Sequence, residues 1–160
     1  PSKGFQHIKF LLKTFTPLTD LLAKYMRPSP EDLEDRTFFE QSTTLMLYTI
    51  AVAISQIANN DKIGQFSASH IVDGEIGFGI KDGPAVTIRA KNGRLVTIKK
   101  RCENPRAAME FASMDLARDL FDGKINAVAC IGMGAITMKG MISMIDNMNR
   151  LLDRVALYLA

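Results

Sequence analysis

Few residues in this chain have the type and spacing that bond-making chemistry needs. His7 and His70 stand in different segments, and neither has Asp, Glu or Cys beside it at a spacing that would complete a metal's ligand set. No metal site and no cofactor are expected. Cys102 follows Lys99, Lys100 and Arg101, and neighbouring cations can lower a thiol's pKa. With no base or orienting group nearby, an unreactive strand end is the plainer reading. No GxSxG nucleophile signature occurs. Gly132 and Gly134 resemble the opening of a phosphate-binding loop, but Thr137 stands at the third glycine position, so the pair reads as a tight turn between elements. No assembled catalytic constellation is visible in the sequence.

Other residue groups point to binding. Lys91, Arg94, Lys99, Lys100 and Arg101 form a basic patch that would attract phosphates by charge alone. No aromatic residue lies between 79 and 110 to stack on bases, and the chain has no Trp, so nucleic acid is not an expected partner. Methionine says more. Of nine, seven (Met109, Met114, Met133, Met138, Met141, Met144 and Met148) fall within forty residues. Its unbranched, polarizable side chain fills irregular space and suits walls that accept varied apolar ligands, although ordinary core packing explains the same count.

Composition sets the frame for these residues. At 160 residues, 47% hydrophobic and 23% charged, the chain is ordinary for a globular domain. The net charge of +3 is uneven, with +4 over residues 1–30 and −4 over 31–60. The basic first segment can thus lie against Glu31, Asp32, Glu34 and Asp35. Cys102 and Cys130 form no disulfide framework, which fits a reducing, cytoplasmic compartment. Residues 41–60 carry no charge, but their solidly apolar part, Leu45 to Ile54, is too short for the roughly 20 residues that span a bilayer. A helix buried nearly all round is expected, with no stable membrane insertion.

Periodicity supplies the elements. Phe5, Ile8, Leu11, Leu12 and Phe15 share a helical face, and Leu18, Leu21, Leu22 and Tyr25 continue it after Pro17. Thr16 reads as a cap at a kink between two short helices. Ser29, Pro30, Glu31 and Asp32 predict the start of a long helix running to about Asn59. Ile76, Phe78 and Ile80 then alternate with polar residues and glycines, as a half-buried strand does. A hairpin follows. A three-residue loop, Lys91 to Gly93, pairs Ala90 with Arg94 and puts Val86, Ile88, Ala90, Val96 and Ile98 on one face, so this bulged register is expected.

Residues 105–123 fit either one helix or a strand followed by a helix capped by Ser113, and periodicity leaves both open. Asn126 is a further cap candidate. Met141, Met144, Ile145, Met148, Leu151, Leu152, Val155 and Leu159 mark a final amphipathic helix.

The order of these features resembles the sterol carrier protein 2 domain. The likeness is carried by GEIGFGIKDG, AVTIRAKNGRLVTI, SMDLARDLFDGKINA and GAITMKG before a closing helix, with Leu116, Leu120, Gly123, Lys124 and the Gly134–Gly140 segment most specific. Gly140 is followed by Met141 where the family often has Asp or Asn. The resemblance implies an α/β (α+β) fold: a five-stranded, mostly antiparallel sheet covered by helices, with strands at 107–112 and 134–139 and helices at 114–122 and 126–131. It implies an apolar tunnel for a sterol, fatty acid or fatty-acyl chain and no catalytic residue. On that placement Phe111, Phe121, Met138, Met141, Met144, Ile145 and Met148 would line the tunnel. Residues 29–160 would form the lipid-binding domain. Residues 1–28, without counterpart in the isolated domain, would be a helical extension that covers the sheet, plugs the tunnel or pairs with a second chain as a homodimer. The competing expectation is a structural or oligomerisation module of the same fold without a ligand.

Overall fold

The structure, a computed structural model, describes residues 11–159. Phe5, His7 and Ile8 lie outside the described residues, as do the side chains of Leu11 and Leu159. The chain divides into two compact units, residues 1–46 and 47–160, and the boundary falls within one long helix.

In the first unit a π-helical turn, Leu11–Phe15, leads straight into α1, Thr16–Met26, with Pro17 in its first turn. Thr16 is the first residue of the helix and not its cap: Phe15 holds the cap position in helical conformation, with no side-chain cap bond. Proline's missing N–H is tolerated in a first turn, so helical backbone continues through Pro17. α1 buries no residue. Its last turn sets Tyr25 against Phe38, ring centres 4.7 Å apart, and the Tyr25 hydroxyl donates to Gln41. Lys24 pairs with Asp32 at 2.9 Å, which joins the basic segment to the acidic one.

Ser29 and Asp32 do cap each other, Ser29 Oγ accepting from the Asp32 N–H and Asp32 Oδ2 from the Ser29 N–H. They start only a single 3-10 turn, Asp32–Glu34. Asp35 then turns extended and caps α2, Arg36–Asn60, by accepting from the N–H groups of Thr37 and Phe38. The long helix therefore begins five residues later than Glu31, because the second carboxylate cap outcompetes continuation of the first turn.

In the second unit α2 buries Leu47, Ile50, Ala51, Ile54, Ile57 and Ala58 and leaves Val52 exposed, a broad face instead of burial all round. α3, Lys62–Ser69, was not anticipated from periodicity; Asp61 starts it by accepting from Ile63 and Gly64. Five strands follow: β1 Gly74–Ile80, β2 Ala85–Lys91, β3 Arg94–Ile98, β4 Ala107–Phe111 and, after two helices, β5 Ile136–Gly140. The sheet order is β3-β2-β1-β4-β5, with β1 and β4 parallel and the other pairs antiparallel. The helices are α4 Met114–Phe121, capped by Ser113, α5 Ala127–Gly132, capped by Asn126, and α6 Ile142–Leu159. Residues 105–123 are thus a strand and a helix.

The hairpin corrects the expected register. Ala90 pairs with Leu95 and Lys91 with Arg94, so the loop is Asn92-Gly93 alone, with both residues at positive φ (51° and 71°). That mirror-image turn matches the right-handed twist of the strands. Leu95 and Thr97 consequently face the helices with Val86, Ile88 and Ala90, while Val96 and Ile98 lie on the other face, Val96 57% exposed. Polar contacts explain why Thr97 is the inward residue. Its hydroxyl donates to the Ala51 carbonyl at 2.7 Å and shares a hydrogen bond with Ser55 Oγ. Asn59 brackets Leu95, donating to its carbonyl and accepting from its N–H, as the next strand of a sheet would.

Candidate binding cavity

One face of the sheet presents Phe78, Met109, Phe111, Ile136 and Met138, and register places them together: Phe78 beside Met109, Met109 beside Met138, and Phe111 beside Ile136. Phe78, Phe111 and Phe121 form a row of edge-to-face rings, successive centres 5.6 Å apart. Above this floor lies a cavity of about 670 Å³. Its walls are Ile50 of α2, Leu120 and Phe121 of α4, Val128 and Ile131 of α5, and Leu152, Val155 and Ala156 of α6. Val128, 77% exposed, stands at the mouth.

Polar side chains enter at a few points. Asp122, Asn126, Asn149 and Asp153 belong to the wall. Asp122 ends α4 in a two-point ion pair with Arg118, a side chain only 3% exposed, and also meets Lys124 at 3.1 Å. Burial pushes the Asp122 carboxyl up, but the bonds from Arg118 and Lys124 outweigh it and leave it below its ordinary value. Asn126 Oδ1 accepts from the N–H groups of Val128 and Ala129 and so starts α5.

Of the residues expected along the tunnel, Phe111, Phe121 and Met138 stand on the cavity wall. Met141, Met144, Ile145 and Met148 do not. Met144 and Met148 are fully buried packing residues, and the part of α6 that lines the cavity starts at Asn149 and continues through Leu152, Asp153, Val155 and Ala156. The amphipathic stripe of α6 is wide enough to serve both purposes, and periodicity cannot say which turn packs and which faces a void. Phe78, Met109 and Ile136, missed as wall residues, carried a signal in their alternation; Leu152 and Val155 carried one in the α6 stripe.

The other candidate groups have structural partners. The Cys102 thiol donates to Glu75 Oε2 at 3.2 Å; burial first, and then the Glu75 carboxylate, push its pKa up, opposite to the effect expected from the preceding cations. Arg101 binds Glu110 and the carbonyls of Ile80 and Gly83, and Lys99 lies over the Tyr48 ring, so the basic patch is partly committed inside the fold. His70 Nδ1 lies 2.8 Å from the Phe66 carbonyl oxygen. Gly132-Met-Gly134 ends α5 and turns the chain into β5. No helix among the described residues is long and apolar enough to cross a membrane.

No protein-family model and no curated protein matches the chain. Solved structures do. The sterol carrier protein domain 2 of Helicoverpa armigera aligns at 20% identity with a TM-score of 0.53, over 69% of this chain and 88% of that one. A sterol carrier protein 2 crystal structure aligns at 14% identity and 0.50, over 69% and 93%. The ubiquinone synthesis protein UbiJ-SCP2 aligns at 12% and 0.50, over 69% and 96%. With nearly the whole of each of these domains matched by the five-stranded sheet and its helices, the chain has the sterol carrier protein 2 fold.

Proposed function

We propose that the chain binds an apolar small molecule, such as a sterol or a fatty chain, in the cavity above Phe78, Phe111 and Phe121, and that it carries this ligand without transforming it. The observation behind the reading is the wall itself: aromatic, methionine and aliphatic side chains from three strands and four helices line about 670 Å³, within the range that small-molecule sites occupy. The names of two of the structures that share the fold, sterol carrier proteins, support a lipid as the ligand.

Native mass spectrometry followed by organic extraction should find an apolar molecule bound. Affinity for neutral ligands should rise by about 0.8 kcal/mol per buried methylene until the cavity is full. Leu152→Trp, which fills the void from its wall, should abolish binding while the protein stays folded. Met144→Asp should act differently. Met144 is 0% exposed and off the wall, so a carboxylate there costs several kcal/mol of stability instead of selectively blocking a ligand. If the folded wild type binds no apolar ligand, the fold serves here as a structural or oligomerising module.

A further inference from the structure

We infer that the cavity selects apolar ligands whose polar end donates a hydrogen bond, an alcohol or an amine, over carboxylates of the same chain length. The inference rests on the lipid-binding reading and adds a head-group preference to it. Asn149, Leu152, Asp153 and Ala156 all line the cavity, at the spacing that puts them on one face of α6. Asn149 and Asp153 are one turn apart, and the side chain of neither makes a hydrogen bond or ion pair with another described residue. They are open valences in an otherwise apolar wall. Of the other polar wall groups, Asp122 is engaged by Arg118 and Lys124, and Asn126 Oδ1 by the start of α5, which leaves the Asn126 amide N–H groups as further neutral donors.

Charge decides which head group suits them. Among the described residues no Lys or Arg lines the cavity. The cations nearest Asp153 along α6 are both committed elsewhere, Arg150 to Asp146 and Arg154 to Asp61. Arg118 and Lys124, at the end of α4, are held by Asp122, with Asp119 also on Lys124. A ligand carboxylate at this end would face the Asp153 carboxylate with no cation among the described wall residues, and its only donors there would be the neutral amides of Asn149 and Asn126. An alcohol donates to Asp153 and accepts from Asn149. An ammonium adds charge attraction. Asp153 is exposed at the mouth, so water screens the effect, and the preference should be about tenfold instead of absolute.

The test titrates an n-alkanol, an n-alkylamine and an n-alkanoic acid of one chain length, below micelle-forming concentration, against the wild type, Asp153→Asn and Asp153→Lys. The alkanol and the amine should bind the wild type about tenfold more tightly than the acid. Asp153→Asn should shrink the gap between amine and acid, and Asp153→Lys should reverse it, while an unchanged Tm of both variants reports an intact fold. Equal binding of all three by the wild type, or an amine-to-acid ratio unchanged in Asp153→Lys, overturns the head-group inference and leaves the cavity reading standing. Binding of none of the three overturns both.

Discussion

Asp61 shows how one carboxylate can hold two elements. Its oxygens accept from Arg154 at 3.0 and 3.2 Å, from the Tyr158 hydroxyl at 2.9 Å, and from the N–H groups of Ile63 and Gly64, so it both starts α3 and ties down the last turns of α6. The Arg154 bond first, then the Gly64 N–H and the Tyr158 hydroxyl, hold its carboxyl far below the ordinary range. A depressed folded-state pKa contributes stability that is complete above the unfolded-state value, near 3.8, and is lost as pH falls toward the folded one. Asp61→Asn should accordingly lower Tm by a few degrees at neutral pH. It should also flatten the loss of stability below about pH 4, where the wild type gives up this contribution. Thermal melts of both proteins from pH 7 to pH 3 check it, and parallel curves would refute it. The partnerships with Arg154 and Tyr158 were not legible in the sequence, since these residues meet Asp61 only in the folded chain.

At the scale of the element, β3 is a short edge strand whose pairing needs help from a helix. Leu95 turns its N–H and C=O away from β2, and the Asn59 carboxamide fills both, standing in for a further strand. Asn59→Ala leaves both groups without that partner and should cost about 2 kcal/mol, read as a lower urea midpoint with unchanged slope. Asn59→Asp, which keeps only the acceptor, should recover part of the loss. An unchanged midpoint in Asn59→Ala would mean that water replaces the bracket at no cost. The same contacts explain why the expected hairpin register failed. An alternation of apolar residues identifies a strand and its two faces. It does not say that a threonine will be the inward residue because a helix backbone offers it an acceptor.

At the scale of the molecule, α1 is the element without an account of what covers it. Leu12, Phe15, Leu18, Leu21 and Leu22 are all exposed and α1 buries no residue, so the first unit does not itself cover the stripe. A second copy is one expected cover for so continuous an apolar face. Sedimentation of the full chain over a range of concentrations should show self-association, and combining Leu18→Asp with Leu22→Asp should abolish it without lowering Tm. A wild type that is monomeric throughout would remove the homodimer. The cavity lies wholly within residues 47–160, so ligand binding by the double variant should match that of the wild type.

Local chemistry was enough to determine much of this protein. Ile76, Phe78 and Ile80 declared β1 by alternation, Ser113 and Asn126 capped the helices that follow them, and the stripe of α6 identified its buried side. These signals lie within a few residues of one another, and local backbone preference together with side-chain period expresses them directly. The tertiary structure alone decided which turn of α6 packs and which faces the cavity, which face of β3 turns inward, and which charges are spent on each other. Each of those depends on partners far away in sequence, such as Asn59 with Leu95 or Asp61 with Arg154. Periodicity reports that a residue is apolar on one side. Whether a void, a neighbouring helix or a second chain lies on that side is settled only when the elements pack.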